Sequence, residues 1–285
     1  MTHASTVPIA VTGATGGVGG RVARLLQDAG LPQRLIVRDA SRAPQIDGAE
    51  LAVATYSDAA AARAALEGID LLFMVSAAEN ADRLAEHRAF IEAARASGVG
   101  HVVYTSFFGA SPESTFTLGR DHAATERMLR DTGMSFTFLR DNLYTDFLPM
   151  LAGEDGVIRG PAGDGRLSSV LRDDVAECAA AVLRDPGAHA GATYDLTGPT
   201  ALGLTEVAAA LTADGSRGPI EYVDETLDEA YASRAVYGAP RWQVDAWVST
   251  YTAIASGELA GISPDVERLT GHPARSLDDF LAATR

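Results

Sequence analysis

A chain of 285 residues, 47% of them apolar, is long enough to bury a large core, and its formal net charge of −15 repels phosphate backbones, which argues against nucleic acid as a partner. It has one cysteine, Cys178, and no lysine, all 23 basic residues being arginine. That composition excludes a disulfide framework, a multi-cysteine metal site, a Walker P-loop, a Schiff-base lysine and a Tyr-x-x-x-Lys reductase pair.

No apolar run approaches the roughly 18 residues of a membrane helix, and Met1 to Pro8 has no basic segment leading into an apolar one. With a single thiol, these features point to a reducing cytoplasm.

In chain order, Val7 to Thr12 reads as a first strand. Gly17 to Ala29 is predicted as a helix, with Val18, Val22, Leu25 and Leu26 on one face and Gly30 and Pro32 stopping it. Arg34 to Arg38 and Glu50 to Ala54 read as strands, and Ala59 to Leu66 as a short alanine-rich helix. Asp70 to Val75 is nearly all apolar, as a strand covered on both faces should be. A helix over Asp82 to Ser97, a strand over His101 to Thr105, a helix over Arg120 to Asp131 and a strand over Phe136 to Leu139 complete the alternation.

Strands separated by helices imply right-handed crossovers and a parallel sheet, so the expected fold is α/β, a doubly wound Rossmann sheet of order 3-2-1-4-5-6. Glycines 153, 156, 160, 163 and 165 then break the rhythm. A helix over Arg172 to Arg184 and a strand near Thr193 to Leu196 are expected to return to the main body. The expected organisation is a dinucleotide-binding domain over 1–150, rejoined by 168–198, and a smaller, mainly helical substrate-side domain within 151–285.

Thr12-Gly13-Ala14-Thr15-Gly16-Gly17-Val18-Gly19 falls at the first strand-to-helix turn. Gly13 suits the tight turn, Gly16 lets a pyrophosphate approach the backbone, and Gly19 allows close packing of helix on sheet. The helix N-terminus offers N–H groups to phosphate. Where an NAD-binding protein places an acid for the ribose, this chain has Arg38-Asp39, with Arg42 nearby. Strand alternation assigns the cofactor face to Arg38, where a guanidinium can meet a 2′-phosphate; the cofactor expected is therefore NADP(H). A solvated strand-end charge is the plainer alternative for Arg38.

Ile9 to Gly16, Ile36-Val37-Arg38, His101 to Ser106, the helix start His122 to Glu126, Phe136 to Tyr144 and Leu269 to Pro273 together resemble the NmrA-like branch of the atypical short-chain dehydrogenases, in particular its quinone and triphenylmethane reductases. The resemblance implies an NADP(H)-binding domain, a small C-terminal domain with an active-site cleft between the two, and reduction of quinones or other conjugated electrophiles. By matching positions, Gly13, Thr15, Gly16, Gly17, Val18 and Arg38 would hold the adenosine and pyrophosphate. Ser76, Ala77, Thr105, Ser106 and Phe107 would line the nicotinamide side, and Asn142, Leu143 and Tyr144 would close over the ring. Two departures fall near that site: Asp141 precedes Asn142, and Ser76-Ala77-Ala78 replaces a more serine-rich loop.

Hydride transfer to a carbonyl needs a positioned proton or hydrogen-bond donor. With no lysine, His122 is the leading candidate, on a helix face with Thr125, Glu126 and Leu129; a structural helix-end histidine is the alternative. Tyr144 is the second, as donor, pocket wall or core. Tyr104 is expected to pack within the sheet. Phe107, Phe108 and Phe147 could form an apolar pocket for a flat substrate. Trp242, Trp247 and Tyr251 have the spacing of one buried helix face, suited to lid or dimer packing, so a second copy is one candidate partner. No G-x-S-x-G elbow or H-E-x-x-H motif is present, and no metal is expected. Two readings follow: an NADPH-dependent reductase of a small conjugated molecule, or a non-catalytic NADP(H) sensor of the kind found in the same group.

Overall fold

The computed structural model describes residues 8–216 and 218–284. Met1 to Val7, and with them the leader reading and the start of the first predicted strand, lie outside the described residues. Seven parallel strands form the central sheet: β1 (Ile9–Thr12), β2 (Gln33–Val37), β3 (Glu50–Val53), β4 (Leu71–Met74), β5 (His101–Phe107), β6 (Ser135–Asp141) and β7 (Thr193–Leu196), in the order 3-2-1-4-5-6-7. The predicted doubly wound order is present, with the returning strand added at the edge beside β6. The first register runs Ile9↔Gln33 to Thr12↔Ile36, and β4 meets β5 from Leu71↔His101 to Met74↔Tyr104.

Helices α1 (Gly17–Asp28), α2 (Ala59–Ala65), α3 (Arg83–Ala96), α4 (Thr117–Asp131) and α5 (Arg172–Arg184) alternate with these strands. α4 begins three residues earlier than the sequence suggested, at Thr117, so His122 lies in its second turn and does not start it. The reason is local: Arg120 Nε donates to the Ser114 carbonyl at 2.7 Å and Gly119 N–H to Phe116, holding a turn that runs straight into the helix. β2 ends at Val37, which leaves Arg38 just past the strand.

The chain divides into two compact units. The first holds residues 8–106, Ala123–Arg140 and Asp173–Tyr194. Its core joins Ala10, Leu72, Met74, Val102, Tyr104, Phe138 and Leu129 to Phe90 and Ile91 of α3. Tyr104 is fully buried, edge-on to Phe138, as expected of a sheet-packing residue. The exception is β3, at the edge of the sheet, where Leu51 and Val53 are about half exposed.

The second unit holds Phe107–His122, Asp141–Arg172 and residues from 195 to 284. It contains α6 (Leu204–Asp214), α7 (Leu227–Arg234), α8 (Arg241–Ala255), α9 (Asp265–Thr270) and α10 (Leu277–Ala283), and two short ribbons that the mainly helical reading did not foresee. One pairs 157–160 with Glu221–Asp224 in parallel; the other pairs Arg166–Leu167 with Leu202–Gly203 antiparallel. Its core contains Phe107, Phe116, Leu148, Ile158, Val207, Tyr251, Ile254 and Leu281. Tyr251 lies flat on Gly160, where any β-carbon would collide with its ring, and Trp247 packs with Ala230, Val244 and Val248. Two of the three aromatics on α8 are thus accounted for by packing inside the unit.

Candidate functional site

The strand-to-helix turn after β1 is built by its glycines. Gly13 has φ +64°, a left-handed conformation that side chains resist, and a β-carbon there would lie 2.9 Å from Val75 Cβ. Gly16 N–H donates to the Gly13 carbonyl at 2.8 Å, closing the turn. A β-carbon on Gly19 would lie 2.6 Å from Gly13 C and 2.7 Å from Thr12 O, so only glycine lets α1 seat this closely. Gly16 caps α1 in extended conformation with no side-chain capping bond, and no acidic residue stands in the first turn. Thr15, Gly16 and Gly17 are exposed, while Val18 is buried and anchors the helix. An uncapped, acid-free helix start under exposed glycines fits a pyrophosphate.

Arg38 is exposed, with no ion-pair partner among the described residues. Asp39 is exposed as well, but its Oδ1 accepts from Ser41 N at 2.9 Å and Ser41 Oγ at 2.7 Å. These bonds cap the 3-10 turn Ala40–Arg42 and hold the Asp39 carboxyl below the usual range. The acid that complicated the cofactor reading is therefore occupied as a cap, and the adjacent cation is left open to solvent.

After β4, Ser76 N–H donates to Thr105 Oγ1 at 2.9 Å and Ala77 N–H to His87 Nε2 at 2.9 Å. Arg83 Nε donates back to the Ala77 carbonyl at 2.9 Å. Because His87 Nε2 accepts, its other nitrogen carries the proton, and Nδ1 lies 2.8 Å from Thr125 Oγ1. Burial, reinforced by the Arg83 charge, pushes the His87 pKa down to about 3, so the ring is neutral. His87, Arg83 and Thr125 form a buried clamp that fixes the Ser76–Ala77 backbone; none of them was singled out for it in the sequence.

Ser106 is fully buried, and its hydroxyl donates to Glu126 Oε1 at 2.6 Å. Glu126 also accepts from Arg140 at 2.7 and 2.8 Å and from Arg130 at 3.1 Å. Thr105 and Ser106 are thus both engaged within the first unit, Thr105 toward the loop and Ser106 toward an ion-pair network. Glu126, one turn on from His122, is committed to two guanidinium groups.

In the second unit, Phe107 packs on Phe116, with ring centroids 4.8 Å apart, and on buried His122 at 6.0 Å. Asn142 is buried, its Nδ2 donating to Ser168 Oγ and the Leu259 carbonyl, each at 3.0 Å, while Oδ1 accepts from Leu143 N. Its amide is used up in joining three segments of this unit. Leu143 is half-buried against the core, and Phe147 is 40% exposed.

Tyr144 is half-buried. Its hydroxyl donates to Asp141 Oδ2 at 2.6 Å, and the Arg172 guanidinium covers its ring at 4.3 Å. Arg172 in turn donates to Asp146 at 2.8 Å. Asp141 is 5% exposed, and burial pushes its pKa up to about 7 against the lowering effects of Tyr144 and Arg172. Burial and the neighbouring carboxyl raise the Tyr144 phenol well above its usual range.

Residues 13–186 match a family model described as NAD(P)H-binding. The chain belongs to the NAD(P)H-binding, NmrA-like family. It is 35% identical over 280 residues to an NAD(P)H azoreductase of Xenophilus azovorans, a match covering 96% of this chain and 97% of the relative. The structure of the NADPH-dependent quinone oxidoreductase QOR2 of Escherichia coli, complexed with NADPH, superposes with a TM-score of 0.87 at 34% identity, covering 97% of this chain and 99% of that one. A triphenylmethane reductase of Citrobacter sp. complexed with NADP(H) gives 0.84 at 30% identity, covering 98% and 100%. The protein is an NAD(P)H-dependent oxidoreductase. No described helix is long and apolar enough to cross a membrane.

Proposed function

We propose that this oxidoreductase uses NADPH to reduce a quinone-like or other flat, conjugated electrophile. The observation that carries the reading is full-length similarity to reductases named for quinone, azo and triphenylmethane acceptors, which share a delocalised electron-poor system. Exposed Arg38, with Asp39 folded back onto Ser41, supports the 2′-phosphate form of the cofactor.

In this reading the first unit is the cofactor-binding domain and the second supplies the substrate side. The Gly13, Thr15, Gly16, Gly17 and Val18 backbone takes the pyrophosphate, and Arg38 the 2′-phosphate. The Ser76–Ala77 backbone, held by His87 and Arg83, and Thr105 line the nicotinamide side. When bound, the reduced dinucleotide supplies the hydride. Phe107 and His122 offer an apolar wall with a polar edge. His122 and Tyr144 are the hydrogen-bond donors proposed for the acceptor; Ser106 and Asn142 act by holding the backbone, since their polar atoms are committed elsewhere.

The test is consumption of NADPH absorbance with benzoquinones, naphthoquinones, enones, azo dyes and cationic triphenylmethane dyes. Substrate-dependent oxidation by at least one class is expected. Binding of NADPH without oxidation by any of them would defeat the reading and favour a sensor.

A further inference from the structure

Asp141 is a carboxyl in a place that does not favour charge. It ends the buried strand β6, is almost wholly enclosed, and has the Tyr144 hydroxyl as its close side-chain partner. The ionisable groups that face this pair are Arg172, over the Tyr144 ring, and Asp146, which holds Arg172 by an ion pair. The cation is therefore shared with Asp146, which leaves Asp141 short of full compensation. Tyr144 is half-buried where Asp141 is buried, so the pair runs from the interior outward.

We propose that Asp141 and Tyr144 form a two-membered proton relay, with Asp141 as the buried proton store and Tyr144 as the group that delivers the proton to the reduced acceptor. This rests on the reductase reading above. Reduction of a carbonyl acceptor by one hydride, which consumes the reduced dinucleotide and yields the oxidised one, leaves an electron pair and a negative charge on the acceptor oxygen. The Tyr144 Oη–H bond breaks, and its proton forms the acceptor O–H bond. The Asp141 O–H bond breaks, and its proton restores the phenol. Asp141 is left as carboxylate, held by the Tyr144 hydroxyl at the observed 2.6 Å, and recovers its proton from water. Burial favours the protonated acid near neutral pH, so the store is filled where it is needed. Arg172 over the ring limits the charge that builds on the phenol during the exchange.

Two measurements decide the proposal. The first needs no turnover: infrared difference spectra of the protein, without added substrate, across a titration from about pH 5.5 to about pH 9. A protonated-carboxyl C=O band that disappears near neutral pH in the native chain, and is missing from Asp141→Asn, is expected. Absence of such a band from the native chain, or its persistence in Asp141→Asn, overturns the store. The second is the pH profile of kcat with whichever acceptor proves active. Native kcat should fall about tenfold per pH unit above the Asp141 transition, where the filled store is lost. Asp141→Asn and Tyr144→Phe should both be slower and flat over that range, with NADPH Kd unchanged. A native profile retained by both folded variants overturns the relay. A chain that shows the infrared band and oxidises NADPH with no acceptor would instead count against the reductase reading.

Discussion

Gly16 and Gly19 stand in one motif but should fail in opposite ways. A β-carbon on Gly19 would lie 2.7 Å from the Thr12 carbonyl oxygen. An ordinary carbon–oxygen contact is roughly 3.3 Å, and the Gly13 carbonyl oxygen would lie closer still, so Gly19→Ala requires α1 to lift from the turn by more than about 0.6 Å. Both sides of that contact are backbone, so no rotamer can relieve it. Overpacking of this kind costs about 1–3 kcal/mol, and at about 2–4 °C per kcal/mol Tm should drop by roughly 2–12 °C. NADPH affinity should fall with it, because the lifted helix start no longer holds its N–H groups in place. On Gly16 the nearest atom is the Gly13 carbonyl oxygen at 3.2 Å, and the residue's φ of −102° is open to any side chain. Gly16→Ala should therefore leave Tm within about 2 °C, consistent with a surface change of about 0.5 kcal/mol. Its methyl group would stand on the exposed face where pyrophosphate approaches, so NADPH Kd should rise by about tenfold or more, the equivalent of one lost hydrogen bond. Scanning calorimetry reads the first effect and isothermal titration the second. Native NADPH affinity in Gly16→Ala, or native Tm in Gly19→Ala, would refute this division of labour.

Arg38→Asp should abolish a preference for NADPH over NADH of about 10–100-fold, the worth of a charged hydrogen bond, and equal Kd values for the two cofactors in the native protein would remove the assignment. His122→Asn should lower kcat while NADPH Kd holds; full activity of the folded variant across neutral pH would leave His122 a packing residue against Phe107. For His87 the sign follows from burial: the folded ring titrates near 3 and the unfolded one near its usual value, so the unfolded chain binds the extra proton in between. The stability this histidine contributes is complete above about pH 6.5 and is lost as pH falls toward about 3, by at most about 5 kcal/mol. Denaturation of His87→Gln at a series of pH values should show a shallower acid slope, and an unchanged slope would count against the clamp.

The sheet was readable because its strands carry their own pattern. Ile9 to Thr12 and Leu71 to Met74 are short apolar runs set between helices, and a strand covered on both faces has no other composition open to it. The strand order followed from handed crossovers, and Thr193–Leu196 was recognisable as a returning strand. What escaped was structure that depends on distant partners. The pairing of 157–160 with Glu221–Asp224 joins segments some sixty residues apart, amid glycines that gave only a loop signal. The start of α4 at Thr117 was missed because Phe116 to Arg120 has no strong helix cap, and its turn is held by Arg120 reaching back to Ser114.

At the site, the backbone features were legible and the internal hydrogen bonds were not. Gly13 and Gly19 are visible in sequence because each answers a steric demand that no other residue meets, and Gly16 because it stands between them in the motif. Ser106 and Asn142 are different. Their residue types and positions are those of ligand-facing groups, yet each has its polar atoms consumed inside its own unit, by Glu126 in one case and by Ser168 and Leu259 in the other. A buried polar atom must be satisfied by something, and the sequence does not say by what. The same rule explains His87: Ala77 N–H needs an acceptor, and a neutral imidazole from α3 provides it, though nothing around Glu86-His87-Arg88 marks it in advance. Asp141 did carry a signal, because an acid at the end of the apolar run Phe136 to Leu139 must either reach solvent or find a partner. It finds the Tyr144 hydroxyl, a neutral donor, and only a share in Arg172. A neutral partner satisfies the hydrogen bond without cancelling the charge, which is why burial can push this carboxyl up to about 7.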